Sequence, residues 1–251
     1  LVLLGELRPV NFFAYPGKPS TPEAPGCAIH DLCPPEWDIA WTLAALAEAT
    51  GATTTDEPAR HALSLPDRPQ GAITPASIGA AVASTLPDDA IVVNEAVTSA
   101  FGITPALATA RPHDLLATSG GSIGQCLPAA VGAAVACPGR RVLALSGDGS
   151  AMYTLQSLWT MAREALDVTV VIFANRGYQI LRTELANMGF ESYGPNARAM
   201  FDVEAPELDW IALSKGHGVA AERVATAEDF AAALVRSYAT PGPRLIEVMC
   251  P

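Results

Sequence analysis

The apolar positions of this chain fall into short runs separated by glycine- and proline-rich breaks. Arg141–Ser146 (RVLALS) and Val168–Ala174 (VTVVIFA) are apolar or β-branched without alternation, and Ala90–Asn94 (AIVVN), Leu115–Thr118, Val219–Val224 and Arg244–Met249 (RLIEVM) read as further strands. Such runs predict strands covered on both faces, as in a parallel sheet. Between them the spacing becomes helical. It predicts helices over Ile73–Leu86, Leu127–Cys137, Ser150–Leu166, Tyr178–Asn187, Asp209–Lys215 and Ala227–Tyr238. In the third, Met152, Leu155, Leu158, Trp159 and Ala162 share one side. Thr74 is placed to cap the first, with Pro75 at its first helical position. Strands alternating with helices predict an α/β fold with a mostly parallel sheet and helices on both faces.

Upstream the pattern is weaker. Leu1–Leu4, Val10–Tyr15 and Cys27–Leu32 predict short strands, and Glu36–Ala49 a helix with Trp37, Ile39, Leu43 and Leu46 apolar. Pro16–Pro25 holds four prolines and reads as a loop. Asp56–Gly71 is polar and proline-rich, as a linker is. The expected division is residues 1–55 as the tail of a Rossmann-like domain, 56–71 as linker and 72–251 as a second domain. The chain opens without Met on residues typical of mid-domain sequence, so a piece of a longer protein is expected.

Half of the 251 residues are apolar and 16% are charged, enough for a large core and extensive subunit contact. The net charge of −11 and the lack of any basic run argue against a nucleic-acid surface. No apolar run approaches the ~18 residues of a membrane span. The five cysteines lack CxxC spacing, which points to reduced thiols in a cytoplasm rather than to zinc or iron–sulfur ligation. Gly189–Asp202 reads as irregular, a candidate mobile lid.

Two turns carry candidate chemistry. Gly147-Asp148-Gly149 closes one strand, and Asn175-Arg176-Gly177 closes the next. A βαβ unit sets both at the carboxyl ends of neighbouring strands, where open α/β sheets bind ligands. Asp148 offers a carboxylate, Asn175 an amide oxygen and Gly177 a carbonyl; this set suits a hard cation, Mg²⁺ or Ca²⁺. N–H groups at the start of the helix from Ser150 suit phosphate. The residues alone therefore predict a Mg²⁺–diphosphate site.

GDG with Asn 27 positions after its Asp resembles the thiamin-diphosphate (ThDP) motif. The flanks agree: NEA at 94–96, SGGSIGQCLPAAVGAA at 119–134 and SKGHGV at 214–219. From Ile73 onward the chain is similar to the C-terminal part of the acetolactate synthase and benzoylformate decarboxylase superfamily. That resemblance implies ThDP and Mg²⁺ as cofactors and a 2-oxo acid as substrate for decarboxylation or carboligation. It implies Asp148, Asn175 and Gly177 as metal ligands. Thr98, Gly147, Gly149, Ser150 and Tyr178 are implied at the cofactor, with Gly121 and Ile123 shaping it. Ile180, Leu181 and Glu184 border a weaker substrate-pocket reading, with core packing also open for Leu181.

The superfamily's activating Glu belongs to an N-terminal pyrimidine-binding domain of a neighbouring subunit. The resemblance thus places no catalytic residue in this stretch and implies a homodimer or tetramer, with no turnover by these residues alone. Glu95, at a strand end, reads as a structural hydrogen-bonder. A subunit of a two-chain ThDP enzyme and a non-catalytic ThDP-binding module remain alternatives.

Overall fold

The computed structural model describes residues 1–11, 13–52, 61–190 and 192–250. Contacts group the chain into two units, Leu1–Arg60 with Ala186–Phe190, and His61–Leu185 with Glu191–Pro251. Residues 56–60 of the expected linker lie outside the described residues.

In the first unit, β1 (Val2–Leu4) pairs in parallel with β2 (His30–Cys33), and α1 (Ile39–Thr50) follows. Asp38 caps α1 by accepting from the Trp41 N–H at 2.9 Å, and Gly51 closes it in the left-handed region. One expectation fails here. The described residues of 10–15 form no strand; Asn11 instead bonds back to the proline-rich turn through Ser20 and Pro19. The apolar side chains Trp37, Ile39, Leu43 and Leu46 are exposed. A two-stranded ribbon offers too little surface to cover a helix face.

The second unit holds α2 (Pro75–Thr85), β3 (Ala90–Glu95), α3 (Ile103–Leu107), β4 (His113–Ala117), α4 (Cys126–Ala136), β5 (Val142–Gly147), α5 (Asp148–Ala151), α6 (Ser157–Arg163), β6 (Val168–Ala174), α7 (Gln179–Asn187), α8 (Pro195–Phe201), α9 (Trp210–Gly216), β7 (Ala220–Val224), α10 (Ala227–Tyr238) and β8 (Arg244–Met249). In the described residues its sheet is six-stranded and parallel throughout, in the order β4-β3-β5-β6-β8-β7.

Successive strand residues point to opposite faces; over β3, β5, β6 and β8 both faces are covered, whereas edge strand β4 leaves Leu115 and Leu116 exposed. On one, Val92, Leu143, Leu145, Val171 and Phe173 pack with Ile78 and Val82 of α2 and Phe230 and Leu234 of α10. On the other, Val93, Ala144, Val170 and Ile172 pack with Leu127 of α4, Met161 of α6 and Trp210 of α9. This double cover is why the strands read as continuous apolar runs. Thr74 caps α2 through a reciprocal capping box with Ser77.

The helix expected over Ser150–Leu166 is broken. Tyr153, Thr154 and Ser157 donate to residues three positions back, so the backbone tightens into turns between α5 and α6. The Thr154 hydroxyl also donates to the Gly124 carbonyl at 2.8 Å, pinning the break. The break turns Trp159 outward, where the Arg163 guanidinium lies 4.8 Å from its ring centre. Gly189–Asp202 is not wholly irregular, because α8 forms within it, with Pro195 in its first turn.

Candidate cofactor site

The sheet order reverses between β3 and β5: the chain passes from β3 outward to β4, then returns to β5 and runs the other way. A crevice opens at the carboxyl ends of strands at such a point. Thr98, Gly147, Asp148, Gly149, Ser150, Asn175, Gly177, Tyr178 and Ile180 line one cleft there. Adjacent pairing of β5 with β6 brings the two turns together.

Asp148 opens α5 and is buried. Its Oδ1 accepts from the Gly149 N–H and its Oδ2 from the Arg176 N–H, both at 2.7 Å. The carboxylate of one turn thereby holds the backbone of the other. Burial raises its pKa, the two backbone N–H groups oppose the rise, and nearby Glu247 adds to it. Arg223 answers Glu247 at 2.8 Å. Among the described residues, no Lys, Arg or His forms a salt bridge with Asp148. A buried, uncompensated carboxylate beside an amide and a backbone carbonyl suits a bound cation. Among the described residues no group of three His, Cys, Asp or Glu forms, so a metal here would take mixed oxygen ligands rather than a carboxylate cage.

Asn175 Oδ1 accepts from the Gly177 N–H at 3.2 Å, and Arg176 between them adopts φ 55°. Gly177 is buried; a Cβ there would lie 2.9 Å from Arg182 Nη2 and 3.0 Å from the Phe201 carbonyl oxygen. At Gly149 the constraint is Tyr178, whose Cε1 would be 2.5 Å from a Cβ. Both glycines are thus crowded by close neighbours rather than set by a left-handed backbone, the Tyr178 ring at Gly149 being the tighter contact. The expected phosphate-facing helix also changes. It begins at Asp148, spans four residues, and its Gly149 N–H is already given to the Asp148 side chain.

At the end of β3, the Asn94 side chain accepts from the Ala96 N–H, and Val97 sits at φ 46°. A β-branched residue in that region is strained, and the strain falls beside Thr98 in the cleft. Gly120 and Gly121 are both left-handed, and Gly121 is exposed. Gln125 closes their loop by accepting from the Ser119 N–H and donating to its carbonyl. Gly121 and half-buried Ile123 are not among the cleft-lining residues, nor are Leu181 and Glu184. Leu181 is 40% exposed, so the core role left open for it does not hold in this chain: α7 keeps that side outward.

Two cleft residues escaped the sequence reading, Phe173 and Gln179. A second hollow shares Thr98, Ser99, Asn175 and Gln179 and adds Cys250, whose thiol is pushed up to about 12 by burial. Strand register brings Cys250 here: β8 runs beside β6, pairing Met249 with Ala174, one residue before Asn175.

The family model described as thiamine pyrophosphate enzyme, C-terminal TPP binding domain, matches residues 100–248. The chain is 48% identical over 252 residues to a putative acetolactate synthase large subunit, IlvX, of Mycobacterium tuberculosis, covering all of this chain and 48% of that protein. It is 32% identical over 214 residues to benzoylformate decarboxylase of Pseudomonas aeruginosa, covering 84% of this chain and 39% of that one. Among solved structures, 4-hydroxybenzoylformate decarboxylase of Rhodococcus jostii superposes with TM-score 0.68 at 31% identity, over 90% of this chain and 41% of its own. Benzoylformate decarboxylase of Polynucleobacter necessarius shares the fold at TM-score 0.75 and 22% identity, over 99% of this chain and 48% of its own. The chain spans less than half the length of each.

Proposed function

This chain belongs to the thiamine pyrophosphate enzymes, whose C-terminal TPP-binding domain it carries, and we propose that it is the cofactor-binding part of a 2-oxo-acid decarboxylase or carboligase. Asp148, Asn175 and the Gly177 carbonyl would hold Mg²⁺ at the cofactor diphosphate. Gly147, Gly149 and Ser150 would lie against the phosphates from one side, and Thr98 from the other. Tyr178, packed over Gly149, would wall the site and limit water. Gly121 and Ile123 would shape the rest of the cofactor, and Ile180, Leu181 and Glu184 would border the substrate. When bound, thiamin diphosphate supplies the electron sink for breaking or making the bond beside a 2-oxo-acid carbonyl.

We assign residues 1–55 to a central domain and 56–71 to a linker. We place the activating Glu in a pyrimidine-binding domain of a neighbouring subunit, in a homodimer or tetramer. On that reading residues 1–251 alone do not turn over. No helix among the described residues is long and apolar enough to cross a membrane, and the irregular cysteines favour a cytoplasmic enzyme.

The observation that carries this reading is the buried Asp148 carboxylate, held against the Asn175 turn with no salt bridge to a cationic side chain among the described residues. Calorimetric titration of thiamin diphosphate tests it. Tight binding is expected only with Mg²⁺ present and is expected to vanish in Asp148→Ala. Equal, Mg²⁺-independent affinity in wild type and variant would remove the assignment.

A further inference from the structure

A segment distant in sequence is strapped onto the Asn175–Tyr178 turn. The Tyr178 N–H donates to the Phe201 carbonyl, and the Val203 N–H donates to the Arg176 carbonyl, each at 2.8 Å. Gly177 and Asp202 form an isolated antiparallel bridge between these bonds. Arg182, on the first turn of α7, donates through Nη2 to the Asp202 carboxylate. The same Nη2 leaves no room for a side chain on Gly177.

We propose that Arg182 and Asp202 are positioning residues that clamp residues 201–203 to the turn and thereby aim the Gly177 carbonyl, so that strap seating and metal loading are one linked equilibrium. This rests on the metal reading given above. The peptide plane supplies the mechanism. In a trans peptide the carbonyl of one residue points opposite to the N–H of the next. The Tyr178 N–H is directed into the strap, so the Gly177 carbonyl is directed away from it. If the strap lifts, nothing in these contacts holds that plane.

The strap is weakly held elsewhere. No residue of α8 is buried, and Met200 is 75% exposed. A segment with few buried contacts opens locally at little cost. The ion pair, whose side chains are 32% and 25% exposed, shares the hold with the two backbone bonds and with Arg176, whose Nη2 donates to the Glu207 carboxylate at 2.8 Å. Linkage makes the effect reciprocal: whatever favours the seated strap favours the metal, and the metal favours the seated strap.

The test compares wild type, Arg182→Ala, Arg182→Lys, Asp202→Ala, the swapped pair Arg182→Asp with Asp202→Arg, and Asp148→Ala, all in the full chain. Mg²⁺ is titrated calorimetrically at saturating thiamin diphosphate, and trypsin cleavage after exposed Arg198 is followed with and without both ligands. Each alanine variant at the clamp is expected to raise half-saturating Mg²⁺ by roughly tenfold or more, as outer-shell changes at metal sites do. The swapped pair is expected to recover most of the loss. The ligands are expected to slow Arg198 cleavage in wild type more than in either alanine variant. Should Arg182→Ala not fold, Arg182→Lys keeps the charge but loses the planar fork, and intermediate weakening is expected. Unchanged Mg²⁺ affinity in the clamp variants, with binding lost in Asp148→Ala, would overturn the clamp and leave the metal site standing. Unchanged binding in Asp148→Ala would overturn both.

Discussion

The Glu95 carboxylate at the end of β3 accepts the Cys126 N–H at 2.6 Å, and its other oxygen accepts the Gly124 N–H. Gly124 lies in the loop that leads from Gly120-Gly121 into α4, and Cys126 opens α4. A buried side chain thus ties one wall of the switch-point crevice to the loop beside it. These are the structural hydrogen bonds expected of Glu95 at its strand end.

Replacing Glu95 with Ala would strand two buried N–H donors, at about 1–3 kcal/mol each. Urea denaturation of Glu95→Ala is expected to show a loss of roughly 2–6 kcal/mol in sum. Burial is also the main cause of a raised Glu95 pKa, against the two N–H groups. A carboxyl whose folded pKa exceeds its unfolded 4.5 contributes stability in full below 4.5 and loses it as pH rises through the raised value. Urea midpoints measured across that window should fall in wild type, and Glu95→Gln should lack this component.

Gly149→Ala would drive a methyl group into the Tyr178 ring, since the Cβ would meet Cε1 at 2.5 Å. Overpacking of this kind costs about 1–3 kcal/mol. The backbone at Gly149 is helical, so alanine would otherwise be favourable there. Combining it with Tyr178→Ala should therefore recover part of the loss. Additive thermal shifts would show that the ring is not the obstacle.

Thr74→Ala removes one half of the capping box at the start of α2. The expected loss is about 1 kcal/mol, read as a lower urea midpoint in denaturant unfolding.

Removing Mg²⁺ with a chelator is expected to lower the melting temperature of the cofactor-loaded protein. Ligand present at a hundred times its Kd stabilises by about 2.7 kcal/mol. Scanning calorimetry with thiamin diphosphate, before and after chelation, reads this loss directly. The Asp148→Ala protein should show none of it.

Much of the fold was legible because the sheet is covered on both sides. That condition writes itself into the sequence as unbroken apolar runs, and Val168–Ala174 coincides with β6. The capping box of α2 was equally readable, since a cap depends on neighbours in sequence. The break after α5 was not. It depends on Thr154 reaching the Gly124 carbonyl, a partner 30 positions away, while local spacing continued to favour a helix.

By itself, the sequence settled which residue types meet at the site and on which two turns they ride, because motif and strand pattern are local properties. It also specified family membership through those motifs. Only the tertiary structure decided what each residue does there. Parallel register carried Cys250 to the side of Asn175, Tyr178 crowded the glycine at 149, and the strap at 201–203 took the backbone bonds on both sides of Gly177. These are contacts between residues distant along the chain, and a linear pattern holds no record of which surfaces will touch once the core has closed.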